Sequence, residues 1–368
     1  MAKNYSDVLA KIKADFKDAF VDVRLAGEIK GFPVESPSMN YIFGGKFATG
    51  RIYEIFGPES SGKTTVCTYL AAQNQRYNKE RSMVLYLDYE RTLSKEHAID
   101  IGLDISEDKF LLAQPLTGED GFELCRRVLA DGVPVGLILW DSIGATGSAT
   151  QMTDAFRATY GGTANVLASG LRMLNPYLTK YDCSLVFVNQ ERAQIGGYSP
   201  IPGQTTTSGG FARKFFASWR GRVTKIDTYK EKGTGAVTGI RMKIRNVKSK
   251  LGVPNREAEI DLDFKHGIDS EKEYDKFIVD LLCDKRGSWY DNEEWGLHAH
   301  GAAGVAAFLK EHPDIYEQAK KDVLELICRE TALDKDNKKG TEEELEKMTP
   351  EEKAFADYAA EDEEDTES

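Results

Sequence analysis

From about residue 50 the chain alternates short apolar runs with longer amphipathic stretches. The runs are rich in Val, Ile, Leu and aromatic residues: RIYEIF at 51–56, SMVLYLDYE at 82–90, VGLILWDS at 135–142 and SLVFVNQ at 184–190. Nearly continuous apolar runs of this length are typical of strands buried on both faces of a parallel sheet. The stretches between them, such as 64–80 and 165–181, have the length and composition of helices. Strand and helix in alternation predict an α/β fold.

Both ends of the chain depart from this alternation. Residues 6–20 place apolar side chains four positions apart, at Val8, Ile12, Phe16 and Phe20. That spacing predicts one apolar stripe on a helix, to be buried against the chain's own body or against a neighbouring copy. After His266 the pattern becomes a compact mixed segment that ends in a long helix-like stretch, which predicts a small second domain.

The composition, with 41% hydrophobic and 29% charged residues, is that of an ordinary soluble protein. No apolar run reaches the length of a membrane span and the start has no hydrophobic signal region, so we expect a cytoplasmic protein without a membrane partner. Five scattered cysteines, without metal or redox spacing, favour reduced thiols.

The net charge of −12 is concentrated in one tail. Residues 340–368 contain 13 acidic and two basic residues, whereas the other 339 residues carry 47 acidic and 46 basic ones and are almost neutral. Such a tail is typical of disorder. It acts either as a solubilising segment or as a DNA mimic that competes for a basic surface of the same protein.

A glycine turn follows the first apolar run. Gly57, Gly62, Lys63 and Thr64 fit the phosphate-binding loop pattern, with a predicted strand before it and a predicted helix after it. The glycines let backbone N–H groups face a triphosphate, Lys63 supplies positive charge, and Thr64 offers a hydroxyl to Mg²⁺. We therefore predict nucleotide binding.

The ends of two later strands supply carboxylates. Asp141 ends an apolar strand in the arrangement that assists the metal of P-loop proteins. Ser142 follows it, where many P-loop motors have a catalytic glutamate, so the base for hydrolysis must come from elsewhere. Glu90, at the end of another strand, is the candidate for activating water; a surface carboxylate is the alternative.

A third strand ends in the amides of Asn189 and Gln190, which are suited to sensing a γ-phosphate. The stretch 191–210 that follows has no periodicity and is rich in Gly, Pro, Ser and Thr, which predicts a functional loop. Bases within and after it suit phosphate contacts on a nucleic acid. A flexible lid over a small substrate is the competing interpretation.

These motifs together resemble the RecA family of ATP-dependent DNA strand-exchange proteins. GPESSGKTT, LDYE, LILWDS, VFVNQERAQIG and VKSK occur in the family's order and at nearly its spacings, and the similarity extends from about residue 33 to residue 330. The resemblance implies an α/β fold: a P-loop NTPase core of the RecA type with a mostly parallel central sheet, an N-terminal helix and a small α+β C-terminal domain. The sequence of these motifs diverges from the family's, and we interpret the chain as a bacteriophage version.

The implied domains are an N-terminal oligomerisation helix and linker at 1–32, the ATPase core at 33–268, a C-terminal domain at 269–335 and an acidic tail at 336–368. The implied function is homologous recombination: a DNA-dependent ATPase, with ATP and Mg²⁺ as cofactors, that polymerises on single-stranded DNA and catalyses pairing and strand exchange. The implied partners are single- and double-stranded DNA and further copies in a helical filament, with single-stranded-DNA-binding and mediator proteins as additional candidates. The implied location is the bacterial cytosol or nucleoid.

The resemblance also assigns roles to residues. Those implied to hold the nucleotide are Gly57, Pro58, Glu59, Ser60, Ser61, Gly62, Lys63, Thr64, Thr65 and, at the adenine, His97. Those implied to hold the metal are Thr64 and Asp141. Those implied to serve catalysis are Glu90, Lys63, Gln190, Lys248 and Lys250.

Lys248 and Lys250 resemble lysines that reach the ATP of the adjacent subunit. Two cations at i and i+2 on a strand point to one side and suit neutralising charge during phosphoryl transfer, whereas a solvated edge is the alternative. Lys214, Phe215 and Arg220 match interface positions near that ATP.

Two loops, at about 153–163 and 191–210, are implied to face DNA. In the family each loop inserts a large side chain between base triplets of stretched DNA, and Tyr160 and Ile195 stand at those positions. The other residues implied to contact DNA are Arg157, Arg172, Arg192, Gly209, Gly210 and Arg213.

The chain departs from the family pattern in two places. His97 and Ser94 replace an adenine-stacking tyrosine and an adenine-binding aspartate, so we expect looser base selectivity. Glu293 and Glu294, with His298 and His300 nearby, stand where the family has lysines that guide duplex DNA, which weakens the expectation of duplex capture there. Two histidines without further ligands are typical of a surface rather than of a metal site.

Two other functions use the same residues differently. A ring-shaped ATP motor, such as a hexameric helicase with the same core, would share the nucleotide pocket and the cations acting across subunits. A non-catalytic ATP-binding mediator would not need the intact set of Lys63, Thr64, Glu90, Asp141 and Gln190.

Overall fold

The structure is a computed structural model that describes residues 6–15, 29–150, 162–193, 205–207 and 214–327. It divides into two units, residues 1–30 and residues 31–368. The first unit contains helix α1 (Ser6–Asp15), on which Ile12 is exposed. The rest of the predicted apolar stripe, Val8, Phe16 and Phe20, lies outside the described side chains, so its packing stays a prediction.

The second unit begins with a small antiparallel pair, β1 (Gly31–Phe32) and β2 (Phe47–Ala48), separated by helix α2 (Pro37–Phe43). Ser36 caps α2 by accepting a hydrogen bond from the N–H of Met39, and Gly44 ends it in the left-handed conformation.

A ten-stranded sheet forms the body of this unit. Its strands are β3 (Ile52–Gly57), β4 (Met83–Asp88), β5 (Phe110–Ala113), β6 (Val135–Asp141), β7 (Ser184–Ala193), β8 (Thr205–Thr207), β9 (Trp219–Lys230), β10 (Val237–Ser249), β11 (Glu257–Asp263) and β12 (Gly267–Ile268). Six of them run parallel in the order β5–β4–β6–β7–β3–β9. The four predicted strands are all present in this parallel part, and the predicted α/β class is confirmed.

β3, β4 and β6 are buried on both faces because helices cover the parallel part of the sheet, whereas β5 and β9 keep exposed positions. These helices are α3 (Lys63–Tyr77), α4 (Lys95–Asp100), α5 (Gly118–Ala130) and α6 (Gly162–Lys180). A reciprocal capping box between Thr117 and Asp120 starts α5. One large apolar cluster joins α5 and α6 to the sheet, with Trp140 and Phe187 at its centre.

The sheet continues beyond β9 as an antiparallel meander, in the order β9–β10–β11–β12. The sequence analysis did not predict this part. β9 and β10 are long, 12 and 13 residues, and are well populated with polar residues, so they lack the continuous apolar signature of the parallel strands.

The segment after β12 is a compact α+β unit. It comprises helix α7 (Ser270–Leu282), a three-stranded antiparallel sheet of β13 (Asp284–Arg286), β14 (Trp289–Asn292) and β15 (Leu297–His300), helix α8 (Gly301–Glu311) and helix α9 at residues 313–327. It has its own apolar cluster around Ile278, Val305 and Val323. The small second domain and its boundaries stay predictions, because the structure divides only at residue 30.

None of the helices in the described residues is long and apolar enough to cross a membrane.

Candidate nucleotide site and facing cations

The glycine turn links β3 directly to α3 and has a backbone that needs its glycines. A Cβ added to Gly57 would come within 2.0 Å of the carbonyl oxygen of Val223, so no other residue fits there without movement. Gly62 has φ +94°, in the left-handed region that favours glycine. The turn therefore presents backbone rather than side chains above the start of α3.

Lys63 is buried in this turn, and its Nζ donates to the carbonyl oxygen of Pro58 at 2.5 Å. Burial lowers the pKa of Lys63, and the nearby carboxylate of Asp141 partly offsets this effect. Ser61 Oγ is also buried and has no hydrogen-bond partner among the described residues. The turn thus holds an ammonium group and a free hydroxyl inside it, as a phosphate site requires.

Thr64 and Asp141 meet beside the turn. Thr64 Oγ1 donates to Asp141 Oδ2 at 3.0 Å, and the Tyr86 hydroxyl donates to the same oxygen at 2.8 Å. Burial raises the pKa of Asp141 to about 6, although the hydrogen bond from Tyr86 opposes the rise. A hydroxyl and a carboxylate oxygen in contact are the donors that Mg²⁺ prefers, so these residues fit the metal.

Glu90 lies next to this pair. Ser142 Oγ donates to Glu90 Oε1, and the backbone N–H groups of Tyr89 and Glu90 donate to the carbonyl oxygen of Asp141 at 2.7 and 3.4 Å. Ser142 stands where many P-loop motors have their glutamate, and here it orients a glutamate supplied by the neighbouring strand. The carboxylate of Asp88, at the end of β4, has other partners: it accepts hydrogen bonds from the N–H groups of Thr92 and Leu93.

Gln190 flanks the first residue of the turn. It is the register partner of Gly57 in the parallel β3–β7 pairing. The amide of Asn189 fixes its backbone, because Asn189 Oδ1 accepts from the N–H of Gln190 at 2.9 Å. Gln190 is therefore placed next to the phosphate turn, at the point where β7 leads into the 191–210 segment.

His97 lies near the other end of the turn, on α4. Its ring nitrogens contact Thr65 Oγ1 at 3.2 Å and the carbonyl oxygen of Phe264 at 3.1 Å. The Phe264 side chain is 38% exposed beside it. The sequence analysis did not predict Phe264 as a site residue. Its only sequence signal is an aromatic residue in a polar turn.

Lys248 and Lys250 form a second group of cations. Lys248 Nζ donates to the carbonyl oxygen of Lys214, and Lys250 Nζ donates to that of Phe215 at 3.0 Å. Burial lowers the pKa of Lys248, and repulsion from Lys250 and Arg220 lowers it further. The Phe215 side chain is 73% exposed, so this group faces outward.

The two groups lie at different levels of the sheet. Lys248 pairs with Arg220, which pairs with Glu54 of β3, three positions before Gly57. At the rise per residue of a β-strand, these three positions correspond to roughly 10 Å along the strand direction. The second group therefore does not join the chain's own phosphate turn.

The predicted DNA-binding residues fall mostly outside the described structure. Arg172 is exposed on α6, and Arg192 lies on β7, where its backbone pairs with Thr206 of β8. The others, Arg157, Tyr160, Ile195, Gly209, Gly210 and Arg213, lie outside the described residues. The structure corrects one detail: the 191–210 segment is not wholly irregular, because β7 extends to Ala193 and pairs with Thr205–Thr207.

The two histidines of the C-terminal segment belong to a surface cluster. His298 Nδ1 contacts Asp291 Oδ1 at 2.5 Å, and the rings of His298 and Trp289 stack with centroids 4.4 Å apart. Within the described residues no group of three or more His, Cys, Asp or Glu is arranged to hold a metal ion.

A phosphate turn between a central strand and a helix, with a hydroxyl–carboxylate pair beside it, defines a P-loop ATPase with a parallel α/β core. A family model, the RecA N-terminal domain, matches residues 3–269. The chain belongs to the RecA family.

Several full-length relatives agree with this assignment. The chain is 31% identical to Protein RecA of Lactobacillus acidophilus, over 89% of this chain and 88% of the relative. It is 33% identical to Protein RecA of a Nocardioides species, over 89% and 92%, and 35% identical to that of Staphylococcus carnosus, over 74% of each. The chain is a recombinase and a DNA-dependent ATPase that uses ATP, binds DNA and forms filaments, and the ring-motor alternative is not favoured.

Proposed function

We propose that this chain forms a helical filament on single-stranded DNA, in which each ATP is held between the phosphate turn of one copy and the cations of the next. The separation of the two groups supports this proposal: Lys248 is level, through its register partner Arg220, with Glu54, three positions before Gly57, and its group lies beside the exposed Phe215. Lys248 and Lys250 donate to backbone carbonyls, and cations placed in this way are suited to a neighbour's triphosphate.

Within one copy, the residues from Gly57 to Thr65 bind the triphosphate. Lys63 exchanges the Pro58 carbonyl for phosphate oxygens, and Ser61 supplies a further hydroxyl. Glu90, oriented by Ser142, positions the attacking water and accepts its proton. Lys248 and Lys250 of the adjacent copy stabilise the charge that develops during transfer.

Thr64 and Asp141 would hold Mg²⁺, which neutralises phosphate charge when bound. Their contact at 3.0 Å and the burial of Asp141 support this assignment. His97 and the exposed ring of Phe264 would receive the adenine.

Gln190 would report the γ-phosphate to the DNA-binding segment, because it lies between the turn and the end of β7. We assign DNA contacts to Arg157, Tyr160, Arg172, Arg192, Ile195, Gly209, Gly210 and Arg213 on the family pattern. On the same family pattern, α1 would dock on the neighbouring copy, and the filament would bind Mg²⁺ and duplex DNA. Single-stranded-DNA-binding and mediator proteins would assist it. We assign the protein to a bacterial cytosol and its gene to a phage.

Electron microscopy with single-stranded DNA and a non-hydrolysable ATP analogue tests this proposal. We expect helical filaments of unlimited length, and the same preparation should exchange strands between a circular single strand and a homologous linear duplex when ATP is supplied. Closed rings of fixed copy number, without strand exchange, would show that a ring-shaped motor is the better description.

A further inference from the structure

Glu54 is a carboxylate in the middle of β3 with no exposed surface. Its two oxygens have different partners: Asn189 Nδ2 donates to Oε1 at 2.9 Å, and Arg220 Nε donates to Oε2 at 2.6 Å. A charge buried this deeply needs such compensation. None of the roles assigned above uses Glu54, so its presence inside a parallel sheet calls for an explanation.

One side of Glu54 leads to the chain's own phosphate turn. The Asn189 amide lies between two groups, because its Nδ2 binds Glu54 and its Oδ1 accepts from the N–H of Gln190 at 2.9 Å. Gln190 in turn is the register partner of Gly57. The orientation of the Asn189 amide therefore links Glu54 to the residue beside the γ-phosphate position.

The other side of Glu54 leads to the outward-facing cations. The Arg220 side chain is 13% exposed, and its guanidinium lies 4.7 Å from the centroid of the Phe56 ring. On the next strand Arg220 pairs with Lys248. Arg220 repels Lys248 and Glu54 attracts it more weakly, so the charge of Glu54 acts on both cations.

We propose that Glu54 is a positioning residue that couples the two nucleotide contacts of each copy, by linking Arg220 and Lys248 to Asn189 and Gln190. The inference rests on the proposed shared site. A neighbour's triphosphate attracts Arg220 and Lys248, so Glu54 loses part of its compensation. The hydrogen bond from Asn189 then compensates more of the negative charge of Glu54, and the end of β7 adjusts together with the Asn189 side chain. Each bound ATP thereby influences the DNA-binding segment of the adjacent copy.

Glu54→Gln tests this coupling, because it keeps the size of the side chain and removes its charge. The measurement is the affinity of the full chain for a single-stranded oligonucleotide, with and without a non-hydrolysable ATP analogue. The ratio of the two affinities is the nucleotide-linked gain. We expect Glu54→Gln to reduce this gain at least about 5-fold, the lower end of typical coupling between sites, and to leave the affinity without nucleotide unchanged. A purely structural role would change both affinities together or neither.

Asp261→Asn is the matched control. Asp261 also accepts from an arginine of the same sheet, Arg241 Nε at 2.7 Å, but Glu54, Asn189 and Arg220 are not among its hydrogen-bond partners. We expect this variant to keep the full gain. If Glu54→Gln does not fold, Asn189→Ala tests the same link, because it removes the amide and leaves the ion pair of Glu54 and Arg220 in place.

Lys248→Ala separates the two proposals. Suppose that the Glu54 or Asn189 variant shows the same nucleotide-linked gain in DNA affinity as the control, while Lys248→Ala has an ATPase defect. This result overturns the coupling and leaves the proposed shared site in place. A normal ATPase rate in Lys248→Ala overturns the shared site and the coupling with it.

Discussion

The two ends of the central strands carry opposite kinds of chemistry. At the carboxyl ends, a cation, a hydroxyl and two carboxylates lie close together: Thr64 donates to Asp141, Ser142 donates to Glu90, and the charge of Asp141 acts on Lys63. At the end of β10, opposite the start of β9, Lys248 and Lys250 form a group of cations whose hydrogen bonds go to backbone carbonyls. The first group combines the kinds of side chain that hold a nucleotide, whereas the second offers cations alone. Under the proposed function a single copy contains both parts of the ATPase centre, but not in the same place.

Removing the ammonium group of the first site should have the largest effect. We expect Lys63→Ala to lower DNA-stimulated ATP hydrolysis by about 10²–10³-fold, the typical cost of losing one preorganised charge at a developing anion, and to abolish strand exchange. Phosphate release with single-stranded DNA measures the first effect. Lys232→Ala, an exposed lysine in the β9–β10 turn, is the control. Strand exchange at the normal rate by Lys63→Ala would contradict ATP gating.

Mixing two inactive variants should reveal where the second group acts. We expect Lys248→Ala to lower hydrolysis by about 10²-fold, because a cation is lost from the transition state. In an equal mixture with Lys63→Ala, a shared site regains activity wherever an intact turn meets intact cations, which is roughly a quarter of head-to-tail interfaces. Phosphate release by the mixture, compared with each variant alone, measures this recovery. A mixture no more active than its components would mean that the cations act within their own chain.

Asp141 should show the cost of keeping a carboxylate buried for the metal. Its folded pKa of about 6 lies above its ordinary value of 3.8, so its contribution to folding is favourable when it is protonated and is lost as the pH rises through about 4 to 6. We expect Asp141→Asn to raise the free energy of unfolding at pH 7.5 by about 3 kcal/mol, from a shift of about two pKa units. The gain should vanish near pH 4, and hydrolysis should be lost.

Urea unfolding without nucleotide, at both pH values, checks this prediction. Asp261→Asn is a control of opposite sign: burial raises the pKa of Asp261, but hydrogen bonds from Arg241, Tyr229 and Lys272 outweigh burial and hold that pKa below its ordinary value. That variant should therefore lose stability at neutral pH. Equal effects from the two variants would refute the assigned difference.

The acidic tail should have the smallest effect. Truncation after Lys339 removes a segment with a net charge of −11, which lies outside the described residues. We expect a few-fold tighter binding to single-stranded DNA at low salt and a lower Mg²⁺ requirement, because the tail no longer competes for the basic surface. Fluorescence anisotropy over a salt series measures this change. Unchanged affinity throughout would leave only the solubilising role.

Four of the six parallel strands, β3, β4, β6 and β7, were predictable because their residues obey simple patterns. A strand buried on both faces has a continuous run of apolar residues. The phosphate turn has a fixed sequence motif, so Gly57, Lys63 and Thr64 were identified together with the strand before them and the helix after them. The polar ends of β4, β6 and β7 followed from the same logic, because parallel strands end at a common edge.

Other features depend on partners that lie far apart in the sequence. Glu54 sits within an apolar run, and two of the partners that compensate its burial, Asn189 and Arg220, are 135 and 166 residues away. Tyr86 is one of several aromatic residues in strands until its hydroxyl is seen to donate to Asp141. The meander from β9 to β12 was missed because its long strands alternate exposed and buried positions and carry many charges.

The contact between Lys63 and the Pro58 carbonyl has a consequence for how quickly ligand is captured. The turn holds its ammonium group inside, with the backbone folded around it. An incoming phosphate replaces one oxygen by another and orders little new chain, so little entropy opposes its arrival. Capture of nucleotide should then be fast, and the slow events of the cycle should lie in the adjustment of neighbouring copies to each other.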